Sequence, residues 1–204
     1  MKHKKTILGT IAGVVIITIV GIITYHITFT PKLKVVTSAQ NKLDKQIDKA
    51  QVNLSAQLTI LPNIISANEP VDDGYQASKA EIKPQIAKFN KANSQFKTNN
   101  TNVAIKSQAL QKENDAITAI ISQIQNKYAN KMFNGDSGKD VAELTKKQNQ
   151  LESIRKSLNA DVDAYNTTIS KNEYASAAKF KKYKPAQKLK TSNTIVSPIQ
   201  SLIP

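Results

Sequence analysis

The chain has 204 residues and a formal charge of +14, from 29 Lys and Arg against 15 Asp and Glu, with no Cys, no Trp and two His. Without Cys there can be no disulfides, thiolate metal sites or lipid attachment through Cys. Gly (6) and Pro (7) are few, which argues against an all-β domain with its many turns, and aromatics at 5% leave the core to aliphatic side chains.

Residues 1–5 form a short basic tail carrying Lys2, Lys4 and Lys5. Residues 6–30 then run from Thr6 to Thr30 with no Lys, Arg, Asp or Glu, and Ile, Val and Leu dominate. About 20 apolar residues cross the hydrocarbon core of a bilayer as a helix, so this run predicts a transmembrane segment. It is too long for the apolar part of a cleaved signal, and its exit, Ile27-Thr28-Phe29-Thr30-Pro31, has no small-residue cleavage pattern, so it reads as an uncleaved signal anchor. Tyr25, His26 and Phe29 fall where amphipathic rings settle at headgroup level, and His26 reads as such an interfacial ring rather than a proton sensor. Gly9 and Gly13 fit a G-x-x-x-G helix-packing pattern, a weak sign of dimers. The N-terminal lysines favour a cytoplasmic N-terminus and an extracellular domain, against Lys32, Lys34, Lys42 and Lys45 on the other side.

Residues 31–175 predict an antiparallel helical bundle. Leu43, Ile47, Ala50, Leu54, Leu58, Leu61 and Ile65 recur at steps of three and four, one apolar stripe. Pro62 should kink that helix, and the Asn68–Gly74 stretch, NEPVDDG, should end or split it. A second helix uses Ile82, Ile86, Phe89 and Phe96, with Pro84 expected in its first turn. The polar cluster Thr98–Asn102 is a turn, and a third helix follows through Leu110, Ile117, Ile121, Ile124 and Tyr128. Asn134–Gly138 is the next expected connection, with Asp140 and Glu143 as a capping pair. The fourth helix has a coiled-coil-like seam: Val141, Leu144, Gln148, Leu151, Ile154, Leu158, Val162, Tyr165 and Ile169. Helices of 25 to 30 residues would each be roughly 40 Å long. The predicted fold is therefore all-α, a single transmembrane helix followed by an elongated antiparallel four-helix bundle.

Residues 176–204 read as a basic C-terminal tail with Phe180 and Tyr183 set among Lys179, Lys181, Lys182, Lys184, Lys188 and Lys190. Lys-rich surfaces attract anionic polymers or headgroups diffusely and lack the bidentate fork of Arg. Arg155 is the sole arginine, which disfavours a nucleic-acid reader. The six lysines are candidate contacts to anionic wall polymers or lipid headgroups; the plainer reading is a solvated cover over the end of the bundle.

Three stretches resemble the LemA family of bacterial membrane-anchored proteins. Leu61-Pro62-Asn63-Ile64 is similar to its L-I-P-N-L element. The helix Asn159-Ala160-Asp161-Val162-Asp163-Ala164-Tyr165-Asn166-Thr167-Thr168-Ile169 resembles Y-N-x-x-V-x-x-Y-N-x-x-I, with Leu158 where Tyr is usual. Phe180-Lys181-Lys182-Tyr183-Lys184-Pro185 is similar to the C-terminal F-x-F-K-P. The resemblance implies an elongated helical bundle on a membrane anchor, and no defined chemistry.

No catalytic, cofactor or metal site is legible. His3 and His26 are the only histidines, one in the tail and one in the apolar run, so the domain has none for a nucleophile–base pair. Asp44 and Asp48 stand one turn apart beside Lys45 and Lys49, the pattern of ordinary surface ion pairs. Asp136–Asp140 lacks the ligand spacing of a calcium loop and reads as a capped turn. Two functions stay open: a non-enzymatic, membrane-tethered scaffold or interaction module of the bacterial envelope, acting as a homo-oligomer or with a membrane protein partner, and a sensor-type ectodomain that binds a small ligand between helices and signals through a partner.

Overall fold

In the computed structural model, residues 18–68, 73–99, 102–128 and 135–191 are described. Among them every regular element is helical. Residues 18–24 are α-helical, Tyr25–Phe29 form a π turn, and α1 continues directly as Thr30–Asn68. The Thr30 amide donates to the Tyr25 carbonyl across five residues. Pro31 follows at once; it has no amide to donate and its ring crowds the preceding turn, so a widened turn falls there and the helix goes on. The result is one rod of roughly 50 residues, about 75 Å at 1.5 Å per residue.

The other helices are α2 (Asp73–Thr98), α3 (Val103–Tyr128), α4 (Gly135–Ser170) and α5 (Asn172–Phe180). α1 and α4 exceed the expected length, and two local expectations need correction. α2 starts at Asp73, so Pro84 lies in its interior, not its first turn. α4 starts at Gly135, so 135–138 are helix instead of connection, and Asp140 and Glu143 are past the cap. α1 runs through Pro62 as a single element to Asn68. Gly9, Gly13, residues 69–72 of the expected break, and Asn134 lie outside the described residues. The turn after α2 is as expected: Asn102 Oδ1 accepts from the amides of Ala104 (3.1 Å) and Ile105 (3.2 Å), satisfying two orphan donors of α3.

The directions alternate. Lys42 pairs with Asp161 at 2.7 Å, while Val52 and Lys147 line one groove, so α1 and α4 are antiparallel. Lys106 reaches Asp44 and Asp48, while Tyr128 lies by Ile65, so α3 runs with α1. Lys127 bonds Ser78 and Lys112 bonds Gln95 (3.3 Å), so α2 runs against α3. Predicted stripes point inward: Leu43, Ile47, Leu54, Leu61 and Ile65 from α1; Ile82, Phe89 and Phe96 from α2; Leu110, Ile117, Ile121, Ile124 and Tyr128 from α3. The α4 seam is buried at Val141, Leu144, Gln148, Leu151, Leu158, Val162 and Tyr165, with Ile154 and Ile169 packed at its edge.

This is not a closed four-sided bundle. α4 packs on α1, α2 packs on α3, α1 also packs on α3, and α3 and α4 scarcely meet. The space between α3 and α4 is filled by the chain itself. After α4 the backbone breaks at Lys171 (φ −63°, ψ 133°), and α5 lays Ala177 and Ala178 against Val36 of α1. α5 thus spans the expected boundary at 175, and the first part of the presumed tail is packed structure.

α5 ends in a Schellman turn, with Tyr183 N–H donating to Ala178 O (3.0 Å) and Lys182 N–H to Lys179 O (3.0 Å). The left-handed position of that turn is Lys182, φ 56°, where glycine is usual. Lys182→Gly removes the clash between Cβ and the following carbonyl, and thermal denaturation should show a gain of about 1 kcal/mol. A loss of stability would mean that the Lys182 side chain makes a contact worth more than this strain.

Candidate functional site

Residues 183–191 turn back as an extended strap between α3 and α4, held by amide side chains on both helices. Asn166 donates Nδ2 to Ala186 O (3.0 Å) and accepts from Ala186 N (2.8 Å). Asn159 does the same with Leu189, at 3.0 Å and 2.8 Å. Seven helical residues rise about 10.5 Å and three extended residues span about 10 Å, so the two repeats coincide. Tyr165 Oη donates to Lys184 O at 3.1 Å, and burial holds the Tyr165 hydroxyl well above the usual tyrosine range. From α3, Ser107 Oγ accepts from Gln187 N (2.9 Å) and Gln111 Oε1 from Lys190 N (2.8 Å). Ala186 and Leu189 are buried in the main core. Asn159, Asn166 and Tyr165, and with them Lys184 and Pro185, therefore have a structural role here. Leu61 and Val162 are core, Asn63 accepts from Ser66 Oγ at 3.0 Å, and Tyr183 stands 6.4 Å from Tyr165, ring to ring.

The six candidate lysines separate into two groups. Lys188 pairs with Asp163 at 2.8 Å and Lys190 lies further along the strap. Lys179, Lys181, Lys182 and Lys184 instead surround the Schellman turn, at the end of the bundle where the apolar run enters α1. Phe180 meets Phe29 edge-on at 5.5 Å, and Phe29 stacks on Tyr25 at 5.0 Å, so rings from both ends of the chain form one cluster. Phe180 is 62% exposed. Beside it a groove of about 640 Å³ runs along α1, lined by Thr30, Lys34, Ser38, Lys42, Lys45 and Lys181 among others. No acidic residue precedes Asp44 or follows Glu173, so the two segments that meet here carry only positive charge.

Two internal charge sites were missed in the sequence. Lys106, with a side chain 4% exposed, lies 2.5 Å from Asp44 and 2.6 Å from Asp48, and its ammonium sits 4.7 Å from the Phe96 ring centre. The Asp44–Asp48 pair is thus a clamp on a lysine of α3, not a surface pattern satisfied by Lys45 and Lys49. Glu113 is 0% exposed and neither carboxyl oxygen has a hydrogen bond. Burial raises its pKa to about 8, against a smaller lowering effect of Lys97. With no access to substrate it is a structural acid, held protonated at neutral pH.

The unfolded chain ionises Glu113 above its ordinary 4.5, whereas the folded chain keeps the proton to about 8. This contribution is complete below 4.5 and is lost as pH rises through that window, by about 1.4 kcal/mol per pH unit. Glu113→Gln should therefore flatten the pH dependence of urea unfolding between about pH 5 and about pH 8, and stabilise the protein at the upper end. Parallel profiles for variant and wild type would show that Glu113 is ionised in the fold.

Fold and site together define an all-α protein: an up-down helical array closed by an extended strap, with a basic, aromatic end. Among family models, curated proteins and solved structures, nothing matches this chain.

Proposed function

We propose that the protein is a membrane-anchored, non-enzymatic scaffold or interaction module of the bacterial envelope, LemA-like in plan, with residues 6–30 as its span. One observation carries this reading. Ile19, Val20, Ile22, Ile23 and Ile27 lie on a helix, and each is 50% exposed or more. No other described part of the chain covers them, and a helix that is apolar all round needs an apolar surrounding. The hydroxyl of Thr28 is satisfied within the helix, donating to Thr24 O at 2.5 Å, as lipid requires. No helix among the described residues is long and apolar enough to cross a membrane; those residues include only the second half of the apolar run.

The scaffold reading is favoured over a ligand sensor because the strap, bonded to both helices, fills the space between α3 and α4 with the chain's own residues. Two of the three LemA-like stretches meet in the fold, which is in keeping with the resemblance: Tyr165 Oη bonds Lys184 O, and Asn166 bonds Ala186 just beyond the 180–185 segment. The N-terminus is assigned to the cytoplasm and the bundle to the outside, on the N-terminal lysines.

Alkaline carbonate extraction of cell membranes tests the anchor: the full chain should stay in the pellet, and release to the supernatant would remove the reading. Protease shaving of intact cells with a C-terminal tag tests the orientation. Loss of the tag is expected, and its protection would reverse the topology.

A further inference from the structure

We propose that the tip of α5 is a second membrane contact: Phe180 seats at the interface of the bilayer that the anchor spans, and Lys32, Lys34, Lys179, Lys181 and Lys182 bind the phosphates of anionic lipid headgroups. This rests on the anchoring reading and adds the part of the domain that touches the membrane and the lipid class it selects.

Three independent features converge. The first is level. Phe180 packs on Phe29, and Phe29 on Tyr25, so the tip of a helix from the far end of the chain lies beside the last residues of the apolar run. If that run spans the hydrocarbon core, Phe180 stands at headgroup depth, where aromatic rings are favoured. The second is exposure: Phe180 is 62% exposed although large and apolar. Ala177 and Ala178 face inward and Phe180 outward on the same short helix, so its exposure is a matter of direction and not of poor packing. The third is charge. Among the described residues Lys32, Lys34, Lys179, Lys181 and Lys182 make no ion pair, whereas Lys42, Lys106 and Lys188 do. The groove beside Phe180 is lined by Lys34 and Lys181 with the hydroxyls of Thr30 and Ser38, donors suited to a phosphate oxygen.

A bilayer with anionic headgroups is the occupant that answers all three features. A soluble polyanion would meet the lysines but would leave Phe180 in water. The nearby anchor makes docking intramolecular, so weak contacts suffice. Each surface lysine contributes roughly a factor of five in binding near anionic lipid.

The chain has no Trp, so one introduced indole reports alone. Full-length Phe180→Trp and, separately, full-length Ile22→Trp are reconstituted into vesicles of phosphatidylcholine with or without phosphatidylglycerol, using acyl chains brominated for quenching. Ile22→Trp reads the anchor, and strong quenching in both lipids is expected. Phe180→Trp should show blue-shifted, quenched emission with phosphatidylglycerol and a water-like spectrum without it. Adding Lys179→Gln, Lys181→Gln and Lys182→Gln should cut the docked-to-undocked ratio by about 100-fold and abolish the shift.

Quenching of Ile22→Trp with water-like Phe180→Trp in every lipid overturns the docking proposal and leaves the anchor standing. Equal quenching of Phe180→Trp in both lipids overturns the selection of anionic headgroups. Failure of both reporters overturns the proposal together with the anchor. A blue shift of Phe180→Trp produced by soluble polyglycerol phosphate in detergent, without a bilayer, also overturns it.

Discussion

Replacing Asp44 and Asp48 together by Ala is expected to destabilise the fold by about 3 to 5 kcal/mol, because it leaves an ammonium buried without its counter-ions. The Lys106 side chain is 4% exposed, and its salt-bridge partners are the two carboxylates, at 2.5 Å and 2.6 Å. The Phe96 ring face at 4.7 Å would remain, but cation–π attraction recovers only about 1 to 2 kcal/mol. The reverse change should be milder. With Lys106→Met the long stem is replaced by an apolar chain of similar length, and Asp44 and Asp48, at 29% and 54% exposed, can rehydrate. The triple variant Asp44→Ala, Asp48→Ala, Lys106→Met should recover most of the loss, as replacement of whole buried ion clusters by apolar groups commonly does. Urea unfolding of the three variants measures this. A loss below about 1 kcal/mol for the double Ala variant would mean that Lys106 escapes to water in solution.

Asn159→Ala with Asn166→Ala should release the strap at a cost of about 4 kcal/mol. Each Asn gives two bonds to a backbone segment that has no ladder of its own, and each truncation leaves an amide and a carbonyl without these partners, about 2 kcal/mol per site. Ala186 and Leu189 would also lose burial in the core. Hydrogen exchange at the amides of Ala186 and Leu189 is the direct readout: both should lose protection, while Tyr174–Ala178 in α5 keep theirs. If Ala186 and Leu189 stay protected, the α3 contacts through Ser107 and Gln111 hold the strap without the Asn pair.

The helices were legible because periodicity is local. The stripe Leu43 to Ile65 and the seam Val141 to Ile169 can be read from spacing alone, and burial follows them almost residue by residue. Boundaries were less legible. Pro84 and Asp140 looked like helix starts because a proline or an acid is favoured in a first turn, yet α2 begins at Asp73 and α4 at Gly135. The strap left a faint trace in α3: Ser107, Gln111 and Asn114 form a polar stripe at steps of four and three on a helix whose other buried residues, Lys106 and Glu113 apart, are apolar. Read as solvent-facing, such a stripe is unremarkable; its burial shows that it bonds to something.

The amino-acid order by itself determined an acid-free apolar N-terminal run, four amphipathic helices, their alternation and the charge of both chain ends. Those follow from composition and from the 3.6-residue period, which need no partner to be read. Only the tertiary structure decided that Lys106 belongs to Asp44 and Asp48, that Asn159 and Asn166 grip the C-terminal segment, and that Phe180 meets Phe29. Each of these joins residues remote in the chain, and nothing local in either partner encodes the other. The physical reason is that side-chain amides, ammonium groups and rings are satisfied by whatever packing brings near, so their partners are set by the way long helices fold back on one another.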